Sequence, residues 1–534
     1  MRRRSLEVRE LGASIRLRRS DGPDHNHHIL EWVVVCAAAC AAMGAVALAS
    51  RHGLGVSPDS VKYYSLASHF ARTGSFLNFT GASSTDVPPG FPFMLAVLLK
   101  VGLSFTASSV CLNVVSTGLL VVAAYGIAST VSASSAVRIT TAAIVALLPT
   151  LTQVNMMLWS EPPFAAAVAV ALWALCRAVR LQRVTVPSAA VAVAATWVAF
   201  ATRYVGIVLL PVIIVAVLLA TRQEAASRRI KTSVLVIASA LVVPVLVAAQ
   251  NIHLGSGPLG AHAAGGESLG IALHQMLDLF GSSLISQGYA HAITAVGLGV
   301  VALTAIGTVR SFMGADHVAV VLSAFVFAYW LFVLYSETAV SLDPLGPRFL
   351  LPALVPMTVL AVWAVQWLTT LLLAIPHQQV RWLAGAGISI FVALLFVSAA
   401  YRTTNAVRAS KNNLGYNSKT VTNSPLGLAV ARIPGNAQVF ASDPWYVYWA
   451  SKRIPITGVT PNLAACDAAC AQAWAQFLAK QLTNTRASYL AVVNGPTDAV
   501  VTPAVLRHRG VVVHLVREFD DGTLYRLYPR AKPS

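Results

Sequence analysis

Residues 29–50 read ILEWVVVCAAACAAMGAVALAS, and eleven further apolar runs follow along the chain. They lie at 91–106, 108–130, 138–157, 161–180, 187–202, 204–221, 232–250, 289–310, 317–336, 348–374 and 383–401. Most approach or exceed the roughly 20 apolar residues that an α-helix needs to cross hydrocarbon. In lipid every backbone N–H and C=O must be satisfied within the chain, so segments of this length cross as helices. Only 11% of the residues are charged and 56% are hydrophobic, whereas a soluble globular domain carries about 25% charged residues. The expected fold class is therefore mainly α: a polytopic membrane protein with most of its apolar surface facing lipid.

The net charge of +18 invites a nucleic-acid reading, but the basic residues are spread over a tail and short loops between apolar runs. That distribution sets membrane orientation, because Lys- and Arg-rich short loops stay in the cytoplasm. If 91–106 crosses, the basic loops 177–184 and 221–231 fall outside. If it lies along the outer face, both fall inside, together with Arg138, Arg310 and the segment 377–381. Eleven spans are thus expected. Segment 88–103, PPGFPFMLAVLLKVGL, reads as interfacial, with prolines at its start and a lysine near its end. Residues 1–28 form a basic cytoplasmic tail with seven arginines before the first span. Residues 29–50 are longer than the usual signal-peptide core and read as an uncleaved anchor. His25, His27 and His28 read as solvated tail residues.

The threading makes 51–107 one external loop with two surface-lying helices. The first is expected over 58–72, with Ser57 as N-cap and Pro58 at the first helical position. Tyr63, Leu66 and Phe70 share one face, with Lys62, His69 and Arg72 toward another, as in an amphipathic interfacial helix. The membrane domain is expected over 29–402. Beyond it, 403–534 reads as a small external α/β domain, with strands at 437–442, 487–495, 510–516 and 523–529 and a helix at 463–482. Cys466 and Cys470 sit one turn apart on that helix, where a disulfide would be strained, and read as free thiols. The other four cysteines lie in apolar runs and read as packing residues.

Ionisable residues near a membrane cavity are costly and mark functional sites. Asp59, Lys62, Tyr63, Asp86, Glu161, Arg203, Tyr204, Glu337, Asp343 and Arg348 all fall at or near the external face. Each has a plain alternative. Asp59 and Glu161 complement a helix dipole in a first turn, Arg203 snorkels, Arg348 flanks a span, and Asp86 is solvated. The stretch 255–268, with His262 and Glu267, is glycine-rich and reads as a loop rather than a metal site. Taken together, the cluster suggests a carboxylate acting as general base beside arginines that hold a phosphate. A phosphate anchored at the interface, with its tail in lipid, is a lipid phosphate.

The motifs SPDSVKYYSLASHFARTG, PPGFPFMLAVLL, WSEPPF, ATRYVGIVLLP and PRFLLPALVP, in that order over roughly 50–401, resemble the GT-C class of integral-membrane glycosyltransferases. The likeness is to members that use polyprenyl-phosphate sugars, such as the protein O-mannosyltransferases and the lipid A aminoarabinose transferase. In that family an acidic residue early in the first external loop is the catalytic base, and it maps onto Asp59. Many members have Asp-Glu there, whereas this chain has Asp59-Ser60. No cofactor is implied, and a divalent metal is not indicated. Some relatives carry a lysine before the Pro-Pro of the interfacial helix, where this chain has Asp86-Val87, so Lys62, Arg203 and Arg348 are the expected phosphate ligands.

The resemblance implies an inverting glycosyltransferase. It would move a sugar from a polyprenyl-phosphate donor to the hydroxyl of a glycan, lipid or protein acceptor on the external face of the cytoplasmic membrane. Tyr63, Tyr204 and Glu161 would line the sugar site, with Asp86 and Glu337 also among the substrate-binding residues. No nucleic-acid partner is expected. Two other classes remain: a transporter or flippase of lipid-linked sugars, and a polysaccharide polymerase or ligase acting on lipid diphosphates. The first expects charges at both faces, and the second expects paired arginines in a long late loop. The long loop 251–288 contains no arginine.

Overall fold

The computed structural model describes residues 25–261, 266–282, 290–314, 316–340, 345–373, 378–412, 414–456, 468–482, 487–494 and 503–529. Helix α1 (His25–Ala49) is followed by two helices in the first loop, α2 (Pro58–Thr73) and α3 (Gly90–Lys100). Then come α4 (Phe105–Val131), α5 (Ser135–Leu147), α6 (Pro149–Asn155), α7 (Glu161–Arg180) and α8 (Val186–Thr202). A 3₁₀ turn (Tyr204–Val208) leads into α9 (Leu209–Ala220). Next are α10 (Ala226–His253), α11 (Leu269–Ser282), α12 (Ala290–Met313), α13 (His317–Ala339), α14 (Pro347–Leu373) and α15 (Gln378–Ser410).

Among the described residues, seven helical segments are long and apolar enough to cross a membrane: Ile29–Ala49, Phe105–Val131, Glu161–Arg180, Ala226–His253, Val296–Met313, His317–Ala339 and Pro347–Leu372. The pair α5–α6, bent by 44°, makes an eighth. Its break falls at Leu148, in extended conformation, because a residue preceding proline is pushed out of the helical region. The apolar runs 187–202 and 204–221 form the shorter helices α8 and 3₁₀–α9, and α15 contains the last run. The chain is a multi-pass membrane protein. Helix α3, at 11 residues, is only about 16 Å long, too short to cross, as the charge argument requires.

Helix α7 lies at the centre, with 83% of its apolar window buried. Its alanine-rich sequence, EPPFAAAVAVALWALCRAVR, lets neighbouring backbones approach closely, as small residues do between membrane helices. It packs against α4, α8, α9, α13 and α14. Helices α1, α10 and α12 are peripheral, with 22–28% of their windows buried.

The first loop is built by local rules and then pinned by distant ones. Ser57 caps α2 in a reciprocal capping box with Ser60, and Pro58 opens the helix. Gly74 closes it in the left-handed region at φ 79°, a conformation that costs glycine least. Residues 54–56 then form the middle of three short backbone segments. Gly55 N–H donates to the Met156 carbonyl at 2.8 Å, and Leu158 N–H to the Gly55 carbonyl at 2.9 Å. On the other side, Val56 N–H donates to the Leu414 carbonyl at 3.1 Å, and Tyr416 N–H to the Val56 carbonyl at 2.8 Å. Gly90 lets α3 lie against the end of α8, since a Cβ there would meet the Ala201 carbonyl at 2.4 Å.

Beyond Ser410 the chain adds α16 (Lys419–Thr422), α17 (Pro425–Ala431), β1 (Gln438–Ala441), α18 (Pro444–Ser451), α19 (Ala468–Gln481), β2 (Ser488–Val493), α20 (Pro503–His508), β3 (Val511–Phe519) and β4 (Gly522–Pro529). The sheet order is β1-β2-β4-β3, with β1 and β2 parallel and the other pairs antiparallel. Successive strand residues face opposite sides. Thus Phe440, Leu490 and Val492 join Trp474, Leu478 and Leu506 in one core, while Val439, Ala441, Ala491 and Val493 join Leu426, Val430 and Val447 in another. All four expected strands are present, and the expected helix appears as α19. Cys466 and Asp343 lie outside the described residues, as does the side chain of Cys470.

Candidate active site

The loop ends that the sequence placed at one face of the bundle do converge in space. Helix α2 carries Asp59, Lys62 and Tyr63. The segment before α7 supplies Trp159, Ser160 and Glu161. Arg203 sits in extended conformation between α8 and the 3₁₀ turn, and Arg348 sits in the first turn of α14. The Arg348 Nη1 lies 3.4 Å from Asp59 Oδ2, and its Nε lies 3.8 Å from Glu161 Oε1. Arg203 Nη1 lies 2.7 Å from the same Glu161 oxygen and donates to Ser160 Oγ at 3.3 Å. Ser160 Oγ also pairs with the Tyr63 hydroxyl at 3.1 Å. Lys62 lies 3.9 Å from Asp59 Oδ1 and is hydrogen-bonded to Asp86, whose other oxygen accepts from Ser84.

Three carboxylates thus face three cations, and they are held unequally. The Glu161 side chain is 3% exposed against Arg203. Asp86 is gripped at both oxygens. The Asp59 and Asp86 side chains are each 36% exposed, but the named partners of Asp59 stand at 3.4 and 3.9 Å, beyond the usual charge-assisted distance of about 2.7–2.9 Å. It is the carboxylate of the three with room to take a new partner.

The electrostatics sort the neighbours. Burial would raise the Asp86 carboxyl, but Lys62 and Ser84 more than offset it and hold its pKa below the ordinary value. Burial opposes the charge on Arg203, but Glu161 and Tyr63 outweigh it, and its pKa is raised. Burial, reinforced by the Asp59 charge, pushes the Tyr63 phenol well above its usual range. At neutral pH Tyr63 is therefore a neutral hydroxyl and Arg203 a fixed cation.

Local anchors position the cluster. Ser60 Oγ donates to the Leu158 carbonyl at 2.7 Å, and Trp159 Nε1 donates to Ser57 Oγ at 2.9 Å. The Arg348 guanidinium lies 5.5 Å from the Trp159 ring centre and 5.1 Å from that of Phe349. Tyr204 takes a different place: its hydroxyl donates to the Thr85 carbonyl at 2.8 Å and accepts from Asn251 at 2.9 Å. It braces the loop that carries Asp86. Glu337 is buried at the end of α13, where its backbone carbonyl accepts from Glu267 N–H at 2.9 Å. Among the described residues, no group of three or more His, Cys, Asp and Glu is placed to hold a metal.

Sequence reasoning named Ser57 only as a helix cap, missed Ser60 and Ser160 as anchors, and missed α18. That helix, PWYVYWAS, packs its aromatic side chains onto the first loop. Phe79 stacks on Tyr448 at 4.3 Å and meets Trp445 edge-on at 5.1 Å, and Tyr64 meets Trp449 at 5.6 Å. The local density of aromatic residues in an otherwise plain domain was the available signal.

No protein-family model matches the chain, and no curated protein matches it. Solved structures do. The apo crystal structure of ArnT from Cupriavidus metallidurans is similar with a TM-score of 0.61 at 13% identity, over 93% of this chain and 98% of that one. The same protein bound to undecaprenyl phosphate gives 0.55 at 14% identity, over the same 93% and 98%. The oligosaccharyltransferase AglB from Archaeoglobus fulgidus, in complex with an inhibitory peptide and a dolichol-phosphate, gives 0.56 at 13% identity, over 88% of this chain and 70% of that one. At these identities the likeness is one of fold. The chain has the fold of the GT-C integral-membrane glycosyltransferases, and the resemblance drawn from the ordered motifs holds at that level.

Proposed function

We propose that the protein is an inverting glycosyltransferase that moves a sugar from a polyprenyl-phosphate donor to an acceptor hydroxyl on the external face of the cytoplasmic membrane. In this reading the tail 1–28 is cytoplasmic, 29–402 forms the membrane domain, and 403–534 lies outside. The acceptor oxygen attacks the anomeric carbon while the bond from that carbon to the phosphate oxygen breaks. Polyprenyl phosphate leaves with the bonding electrons, and the acceptor proton passes to Asp59. A single displacement inverts the anomeric centre. Arg348, with Lys62 and Arg203, balances the charge gained by the leaving phosphate, as fixed donors do at developing anions. The neutral Tyr63 hydroxyl and the Glu161 carboxylate offer one donor and one acceptor edge to the sugar.

The observation that carries this reading is the loose grip on Asp59. A general base needs an oxygen free to meet its substrate, and Asp59 alone of the three clustered carboxylates is both partly exposed and distantly paired. ArnT with bound undecaprenyl phosphate and AglB with dolichol-phosphate share the fold, which supports a lipid-phosphate donor. The test is Asp59→Asn, assayed for sugar transfer from a labelled polyprenyl-phosphate donor in liposomes. Turnover is expected to fall by about 10²-fold or more, with unchanged thermal stability and donor binding. Near-normal turnover in the stable variant would remove Asp59 from the chemistry.

A further inference from the structure

Lys62 lies between two carboxylates, and Coulomb attraction alone would draw its ammonium wholly toward the closer one, Asp86. A third group bears on it. The Lys62 Nζ stands 5.3 Å from the centre of the Trp445 ring, within the range of a cation–π contact, and 3.9 Å from Asp59 Oδ1. Trp445 is itself fixed. Asp443 caps α18 by accepting from Tyr446 N–H at 2.9 Å, and its other oxygen accepts from the Tyr416 hydroxyl. The Tyr416 N–H donates to the carbonyl of Val56, three residues before Asp59. Contacts therefore close a ring: Val56, Tyr416, Asp443, Trp445, Lys62 and back along α2.

A lysine stem is flexible and its head is a compact point charge, so its position is set by what surrounds the head. We propose that Trp445 is a positioning residue: the C-terminal domain holds the Lys62 ammonium beside Asp59 through the face of this indole. The domain is then a working part of the site and not an appendage. The catalytic consequence rests on Asp59 as the general base. The Lys62 ammonium, together with Arg348 from α14, then fixes the positive charge that faces Asp59 and the departing phosphate.

Two readouts on the full-length protein in detergent separate the proposal from the base reading. The first is the rate at which an amine-acetylating reagent modifies Lys62, followed by peptide mass spectrometry. Trp445→Leu is expected to raise that rate about two- to fivefold, and Trp445→Phe, which keeps an aromatic face, is expected to stay nearer wild type. The second is kcat/KM for the polyprenyl-phosphate sugar. Lys62→Met is expected to lower it by about tenfold. Trp445→Leu should lower it by less, with no further loss when added to Lys62→Met, and Trp445→Phe should stay nearer wild type. If Trp445→Leu does not fold, the unbranched Trp445→Met takes its place. Unchanged Lys62 labelling, or equal labelling in the Leu and Phe variants, overturns the proposal. Raised labelling with an unchanged kcat/KM leaves the positioning role standing and counts against a catalytic part for Lys62 beside Asp59.

Discussion

Glu31 and Asp59 stand near opposite ends of the first membrane helix, each facing an arginine from elsewhere in the chain. Glu31 is 5% exposed, with Arg138 at 2.6 Å. Its Oε1 also accepts from Ser135 at 2.5 Å, and its Oε2 accepts from Tyr125 at 2.8 Å. Every direction is filled at short range, and the cluster ties α1, α4 and α5 together. Asp59 is 36% exposed, with Arg348 at 3.4 Å. A buried charge is tolerated when it is paired and hydrogen-bonded. Glu31 meets that condition within the chain, whereas Asp59 meets it only in part and leaves its remaining capacity for a ligand. Completeness of partnering, more than the presence of charge, separates a strut from a site.

The largest expected effect tests the strut. Glu31→Gln leaves Arg138 buried without its counter-charge, a change that costs about 3–5 kcal/mol. It should lower the unfolding midpoint in detergent while leaving turnover per folded molecule intact. Asp59→Asn should do the reverse, with a loss of turnover of about 10²-fold at an unchanged midpoint. A pattern in which both variants lose the same property would break the comparison. Arg348→Ala sharpens it. Removing a charge-assisted hydrogen bond worth about 1.5–3 kcal/mol should weaken polyprenyl-phosphate binding by about ten- to a hundredfold, read by titration into the detergent-solubilised protein.

Smaller effects probe the tightly held partner within the site. The Asp86 pKa is lowered from an ordinary 3.8, so its contribution to stability is present above that value and is lost as pH falls through the lower folded value. Asp86→Asn should therefore be less stable than wild type at neutral pH, and the two unfolding midpoints should converge in acid below 3.8. Smallest is Ser57→Ala, which removes the cap of α2 and the acceptor for Trp159 at 2.9 Å. A loss of about 1 kcal/mol is expected, measured as a modest drop in midpoint.

Much of this was legible in sequence because it is local or periodic. The cap at Ser57, the helix that follows it and the four strands follow from spacing and residue type. Charge bias separated the short α3 from the crossing runs. The partners inside the site were less legible, because they depend on approach between distant segments. Arg348 and Asp59 are 289 positions apart, and nothing near Lys62 announces Asp86 or Trp445. Tyr204 was expected at the sugar, but its hydroxyl engages Thr85 and Asn251, since a buried phenol takes whichever partners the neighbouring backbone supplies.

The three backbone segments that meet at residues 54–56 also set an order of events during synthesis. The N–H and carbonyl of Val56 find their partners at Leu414 and Tyr416, so a growing chain cannot clamp the entry to α2 until its last membrane helix has emerged. A nascent chain stopped at residue 402 should insert its helices yet leave 54–59 open to a protease added from the site-bearing side, while the full chain resists cleavage there. Under the proposed function, the chemistry would then switch on only once residues 414–416 have been made, and shorter nascent chains would leave the donor untouched.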